Sequence, residues 1–303
     1  MDVFQDHLAR ARATGGAFAR SMARPPWGLR LAGTIQLALH AVVKGSVWLW
    51  LDDPRSAIEL RPGDVALVRG GPDHHIAYEA AAECEEHEAF RAHHTADDPA
   101  DPAAAIFLCG AYQFAGDVGQ GLINALPRIL VLPAPAEDSL RNVIAALSHE
   151  LVTSSPGQQT VLDRLLDVVL VLAIRAGLLQ SDTAPGWYHA LTDSRLSAAL
   201  EAIHTDPTHP WTVSELADIS GMSRATFARI FPRVLGETPM QYLTEWRMTL
   251  ARDLLRTDDA SLSQIATRTG YASPYAFAAA FRRHHGHPPG RWRQQTHLVT
   301  TTS

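Results

Sequence analysis

The sequence predicts a two-domain chain of the α+β class: an N-terminal β-barrel followed by a helical pair, then an all-α domain built from two helix-turn-helix units. Three observations carry this. One helical pattern occurs twice in the last third of the chain. Short β-branched and aromatic runs, separated by turn residues, fill the stretch from Leu29 to about Leu132. Between these regions, residues 137–180 place apolar side chains at helical spacing. A chain of 303 residues has room for two cores. The expected boundaries are a barrel over 1–136, a helical dimerisation segment over 137–180, a linker over 181–194 and a helical domain over 195–296.

Within the barrel region, Ile35 to Leu51 is rich in strand-forming residues, and Ile58-Glu59-Leu60-Arg61 alternates in polarity. Pro62-Gly63-Asp64 is a turn signal, Val65 to Val68 a short apolar strand, and Ile106 to Phe114 and Ile129 to Leu132 complete the set. Many short strands at this spacing point to a jelly-roll barrel. Glu79 to Pro102 is acidic and Ala/Asp-rich and reads as a long mobile loop. Cys84 within it has acidic neighbours at Glu83, Glu85, Glu86 and Glu88, a field that disfavours the thiolate. His87, His93 and His94 read as part of a solvated acidic loop.

Leu140, Val143, Ile144, Leu147 and Leu151 make one helical stripe; Val161, Leu165, Val168, Val169, Leu172 and Ala173 make another. This pair is expected to dimerise the chain, packing within the chain being the alternative. Gln180 to Thr192, with Pro185-Gly186, reads as the interdomain linker.

The repeat comes last. Its first copy runs Thr212-Val213-Ser214-Glu215-Leu216-Ala217, Gly221-Met222-Ser223-Arg224, then Phe227, Phe231, Gly236 and Pro239. Its second runs Ser261-Leu262-Ser263-Gln264-Ile265-Ala266, Gly270-Tyr271-Ala272-Ser273, then Phe277, Phe281, Gly286 and Pro289. Thr212 with Glu215, and Ser261 with Gln264, are capping boxes. Gly221 and Gly270 suit the sharp turn after each short helix. Phenylalanines at i and i+4 bury one face of the second helix and leave the other free for a major groove. A helix from about Met240 to Leu255 joins the copies.

Residues 195–294 resemble the DNA-binding domain of the AraC/XylS transcription regulators, through Leu216-Ala217 to Gly221-Met222-Ser223, Thr238-Pro239, Arg247-Met248 to Leu254-Leu255, Ile265-Ala266 to Gly270-Tyr271 and Phe277 to Pro289. In the first recognition helix the groove-facing set is Arg224, Ala225, Ala228 and Arg229, flanked by Ser223 and Thr226. Arg229 is placed for a bidentate guanine contact. The second helix offers Pro274, Tyr275, Ala278 and Ala279, which carry little hydrogen-bonding capacity. It is expected to act mainly through phosphates, using the helix start at Ser273 with Arg282, Arg283 and Arg291.

Gly63, Arg69, Gly71 and His74 fit the second motif of the cupin barrels. The first motif fits poorly: its glutamate position is Ala38, and no His-x-His precedes it. That counts against the alternative of a cupin-fold metal-dependent enzyme with an accessory helical domain. Leu39-His40-Ala41-Val42 to Gly45, Gly71 to His74 and Leu108-Cys109-Gly110 resemble the cupin sensor domain of a subset of AraC-type regulators, which includes regulators responsive to reactive chlorine species. Those oxidant-sensing relatives use a cysteine near the start of the domain; the stretch around Ser21-Met22 has none. His40, His74 and Cys109 are three potential legs of a tetrahedral site for one zinc or similar transition metal; satisfied barrel histidines and a small core cysteine are the alternative. His75 is expected on the opposite face, exposed.

The formal charge is −6, unevenly placed: residues 186–303 hold 12 arginines against 10 acids, and the rest 14 basic against 22 acidic residues. Lys44 is the sole lysine, so phosphate contacts fall to arginine and backbone N–H groups. Cys84 and Cys109 make no disulfide framework, no basic signal segment opens the chain, and the most apolar stretch is broken by Asp167 and Arg175. The expectation is a cytoplasmic, non-enzymatic transcription regulator without membrane contact. Its expected partners are promoter DNA, a second copy of itself, RNA polymerase where it acts as an activator, and a small-molecule or redox effector.

Overall fold

A computed structural model of the chain describes residues 3–11, 14–32, 35–70, 73–93, 101–114, 123–134, 138–153, 155–179, 184–257 and 260–300. Two compact units emerge, one of residues 11–115 and 119–184, the other built chiefly from residues 1–10 and 185–303.

The first unit is a sandwich of two five-stranded sheets. One has the order β1 (Thr14–Ala23), β9 (Ala105–Gln113), β3 (Leu37–Lys44), β6 (Val65–Arg69), β10 (Ile129–Leu132). The other runs β5 (Ile58–Leu60), β4 (Val47–Trp50), β7 (His74–Ala77), β2 (Gly28–Leu31), β8 (Glu85–Glu86). Period-2 alternation sets what faces inward. Ala38 and Val42 of β3, Ala66 and Val68 of β6, Phe107 of β9 and Ile76 of β7 share one apolar interior. Gly45 and Gly63 sit at positive φ in the turns that end β3 and precede β6.

Strand signals were strongest where side chains are β-branched, and β3 to β6, β9 and β10 match them. β1 is rich in Gly, Ala and Arg and carries no such signal; its pairing along β9 makes it a strand. The stretch expected as a loop from Glu79 to Pro102 holds β8 and a helix, α2 (His87–His93), in its described part. The reason is Phe90, which is buried against Trp27 and Phe107 and anchors the segment to the core. His94 and Gly71 lie outside the described residues.

Two helices, α3 (Asp138–Glu150) and α4 (Gln158–Leu179), complete this unit. They do not stand apart from the barrel. Tyr112 of β9 donates its hydroxyl proton to the Leu166 carbonyl at 3.0 Å. Gly177 lets Leu130 of β10 approach the helix backbone. Much of the α4 apolar face, including Leu166, Val169 and Leu170, is thereby buried.

The second unit is helical: α5 (Gly186–Ala190), α6 (Ser194–Thr205), α7 (Val213–Ile219), α8 (Arg224–Leu235), α9 (Pro239–Thr257), α10 (Leu262–Arg268), α11 (Pro274–His285) and α12 (Pro289–Thr300). Each repeat has its own core, Leu216, Phe227 and Phe231 in the first and Ile265, Phe277 and Phe281 in the second. The unit begins earlier than the sequence boundary at 195. Trp187 and Leu191 of the expected linker pack on the first core, so the helical unit already begins at Pro185. It also includes α1 (Val3–Ala11), which the sequence assigned to the barrel. Val3 is fully buried in the first core, and His7 stacks on Trp187 at 4.0 Å between ring centroids. No helix among the described residues is long and apolar enough to cross a membrane.

Candidate nucleic-acid interface and a buried His–His–Cys chain

Both helix-turn-helix units form as the repeat predicts. Thr212 accepts from the Glu215 N–H at 3.2 Å while the Glu215 carboxylate accepts from the Thr212 N–H at 2.8 Å. Ser261 and Gln264 repeat this box at 3.3 and 2.8 Å. These bonds satisfy donors that the first helical turn leaves free. Gly221 (φ 61°) and Gly270 (φ 75°) make the turns, and Gly236 and Gly286 end the recognition helices in the left-handed region. Ser223 caps α8 by accepting from the Thr226 N–H at 3.2 Å; Ser273 caps α11 by accepting from Ala276 at 3.1 Å.

Burial of Phe227 and Phe231 turns the opposite face of α8 outward. Ser223, Arg224, Ala225, Ala228 and Arg229 are exposed, Thr226 is partly covered, and Ile230 packs inward. On α11 the same geometry exposes Tyr275, at 87 %, together with Ala279, Arg282 and Arg283; Arg291 is exposed on α12. Pro274, Ala278 and Ser273 are partly covered. The first face thus carries two guanidinium groups at its centre, and the second carries a tyrosine and alanines with arginines at its end. On the first, guanidinium groups, whose donors suit bidentate base recognition, lie within the face itself; on the second they lie toward the helix end.

In the barrel, His40, His74 and Cys109 meet. His40 on β3 pairs with Cys109 on β9, and both point inward. His74 reaches them from β7 in the opposite sheet. His40 Nδ1 lies 3.2 Å from Cys109 Sγ, and His40 Nε2 lies 2.9 Å from His74 Nε2. Burial holds His40 well below the usual imidazole range, with the neighbouring His74 adding to it. Burial, then His75, brings His74 down to about 4 against the opposing pull of Asp73. Burial pushes the Cys109 thiol up to about 12. All three are therefore neutral at pH 7, a hydrogen-bonded chain of thiol, imidazole and imidazole.

This order matters for metal binding. The two nitrogens of His40 sit on opposite edges of its ring, so Cys109 and His74 flank His40 and share no common point. No group of three or more His, Cys, Asp or Glu among the described residues has the geometry to hold a metal ion. As placed, the donors suit a metal chemically but do not converge on one.

Three neighbouring expectations need correction. His75 does lie on the other face, but it is only half exposed: its ring stacks on Trp50 at 5.2 Å and its Nδ1 lies 3.1 Å from the Leu51 carbonyl oxygen. The Cys84 thiol is raised to about 11, as expected in direction, but by burial and not by the surrounding acids. The His87–His93 stretch is helical, with His93 Nδ1 2.6 Å from Glu85.

Sequence reasoning missed a second buried polar chain, in the helical unit. His204 Nδ1 lies 3.1 Å from Asp6 of α1, and its Nε2 lies 2.8 Å from the Tyr242 hydroxyl. The carboxylate only accepts, so Nδ1–H donates to it. Nothing local marks residues 198 positions apart as partners.

Comparison with known proteins agrees with this architecture. A cupin family matches residues 2–178, and a helix-turn-helix domain family matches residues 216–295. The transcriptional regulator AlkR of Acinetobacter baylyi is 30 % identical over 282 residues, covering 89 % of this chain and 92 % of that protein. A putative AraC-like transcription regulator of Streptomyces antibioticus is 30 % identical over 97 % of this chain and 99 % of its own length. RclR of Escherichia coli strain K12, an activator specific to reactive chlorine species, is 29 % identical over 84 % of each chain. With two helix-turn-helix units presenting exposed recognition faces and a cupin barrel ahead of them, the chain belongs to the DNA-binding AraC-type transcription regulators that carry an N-terminal cupin domain.

Proposed function

We propose that this regulator reads a promoter as a cytoplasmic homodimer, with α8 supplying base recognition, and that its cupin domain senses an effector at the Cys109–His40–His74 chain. The observation that carries the sensor assignment is the chain itself. Three polar groups from two sheets occupy an interior otherwise lined by Ala, Val, Leu, Ile and aromatic residues. A buried polar chain is sensitive to any species that replaces one of its bonds. The neutral thiol is a slow nucleophile, so a polar ligand that displaces a hydrogen bond fits this geometry better than direct oxidation. Where the regulator activates, RNA polymerase is its further partner.

Dimerisation is supported by what α4 leaves uncovered. Val161 and Val168 are each 44 % exposed, and Leu165 between them and Leu172 beyond them are half-buried. The spacing of four, three and four is that of a coiled-coil seam, which a second copy of the same helix would cover.

The test begins with sequencing the DNA recovered with the purified full chain. Affinity for that DNA is then measured with zinc ions, with a thiol oxidant and with a library of small polar ligands, for the wild type, His74→Ala and Cys109→Ser. The expected result is that at least one treatment shifts the wild type and neither variant. A shift that persists in both variants places the sensor elsewhere. The donor set also supports a second reading, one zinc or similar ion per chain once the His40 ring turns. Elemental analysis decides it: about one ion per chain, released by either variant, supports that reading, and none removes it.

A further inference from the structure

α9 connects the two helix-turn-helix units and belongs to both cores. Tyr242, Leu243, Trp246 and Leu250 enter the first, and Met248, Ala251 and Leu255 enter the second. Between these sets stands Arg247, half-buried on α9. Its Nε donates to the Pro207 carbonyl at 2.7 Å, and one terminal nitrogen donates to the His209 carbonyl at 2.9 Å and lies 3.4 Å from that of Thr208. These carbonyls belong to the loop ahead of α7. Asp206 ties the same loop, accepting from the Thr208 and His209 N–H groups at 3.1 Å each. The guanidinium also meets the second unit. Its carbon lies 6.0 Å from the Tyr271 ring centroid. A Cβ on Gly270 would come within 2.8 Å of a guanidinium nitrogen and 3.0 Å of Thr208 Cα. The turn of the second unit therefore packs on the entry loop of the first, with Arg247 between them.

We infer that Arg247 is a positioning residue that fixes the spacing and angle of the two recognition helices, and so sets which separation between half-sites the protein accepts. The planar guanidinium spans both contacts at once: it donates to the loop carbonyls and packs against the Gly270–Tyr271 turn. An ammonium group cannot do both. A shared helix core alone leaves the two units free to rock about α9; the Arg247 contact closes a second path between them. The inference rests on the reading that both units engage the duplex.

The experiment uses the full chain and a duplex it enriches from a random pool. Hydroxyl-radical footprinting of the wild type should show two protected segments about one helical turn apart. Inserting one base pair between them turns one segment by about 35° relative to the other, and should cost the wild type about tenfold in affinity or more. Arg247→Ala should bind the original duplex about tenfold more weakly, bind the original and lengthened duplexes alike, and keep wild-type affinity for a duplex retaining only the first segment. Arg247→Lys should fall between. Should Arg247→Ala fail to fold by circular dichroism, Arg247→Lys carries the test and should relax the same spacing preference in part. A variant that keeps the spacing preference, or loses single-segment affinity in the same proportion, overturns the inference. A single-segment wild-type footprint removes the two-unit reading beneath it.

Discussion

Arg229 and Arg282 carry the same charge and are both exposed, yet the proposed reading gives them different work. Arg229 sits mid-helix on the exposed face of α8, where its fork can lie in the plane of a base edge. Arg282 lies toward the end of α11, beyond a face made of Tyr275, Ala278 and Ala279. Arg229→Ala should therefore cost about 1–3 kcal/mol at one base-pair position and relax preference there. Arg282→Ala should weaken all sequences alike and lower the salt slope by about one. Binding to a panel of single-base operator variants at several salt concentrations separates the two. An equal loss of base preference from Ala279→Ser would remove the asymmetry. These side chains were legible in the sequence because helix period alone places them opposite Phe227, Phe231, Phe277 and Phe281. The meeting of His40, His74 and Cys109 was legible for the analogous reason, strand alternation within an assigned register. What alternation does not encode is ring orientation, and that decides whether three donors form a chain or a metal site. Arg247 was not legible as a lock, because its partners lie about forty positions before it in a loop and more than twenty after it in a turn.

Elements were legible where local chemistry and tertiary demand coincide. The capping boxes and turn glycines of α7 to α11 are self-contained, so their boundaries followed from sequence. α2 and α5 hide in polar or linker-like stretches and exist because one or two aromatic residues, Phe90 and Trp187, find a core. α1 is the largest departure. It precedes the barrel in the chain but completes the core of the first helix-turn-helix unit through Val3, Phe4, Asp6 and His7. The chain thus begins in the helical unit, passes into the barrel and returns to the helical unit. Val3→Asp would bury an unpaired carboxylate at a fully covered position, a change expected to cost about 3 kcal/mol or more. Thermal unfolding of the full chain followed by tryptophan and far-ultraviolet signals should show a lower helical transition, with DNA binding lost in parallel. An unchanged transition would mean that α1 is dispensable to that core.

At the scale of the whole molecule, the formal charge of −6 is misleading on its own, because the acid excess sits outside residues 186–303. Even so, 12 arginines against 10 acids in that region make only a weak electrostatic footprint. Few counterions are released by so small an excess, so one subunit should hold DNA loosely at physiological salt. On the proposed homodimer, linkage of two subunits would supply tight promoter binding, raising avidity over a single site by about 10²–10⁴ without any new contact to DNA. The seam on α4 is the surface available for that linkage. Much of the helix's apolar face is buried within its own chain, the alternative to a partner contact, but Val161 and Val168 stay half open along one line. Placing aspartate at both positions leaves the intrachain face of α4 untouched and sets like charges across a symmetric contact. The double variant Val161→Asp/Val168→Asp should sediment as a monomer and bind a duplex with two subunit sites about 10²-fold or more weakly. Its affinity for a single subunit site should match the wild type. A variant that remains dimeric moves the interface off α4. A wild type that sediments as a monomer, and binds DNA tightly as one, would show that the two recognition helices of a single chain suffice despite the weak charge.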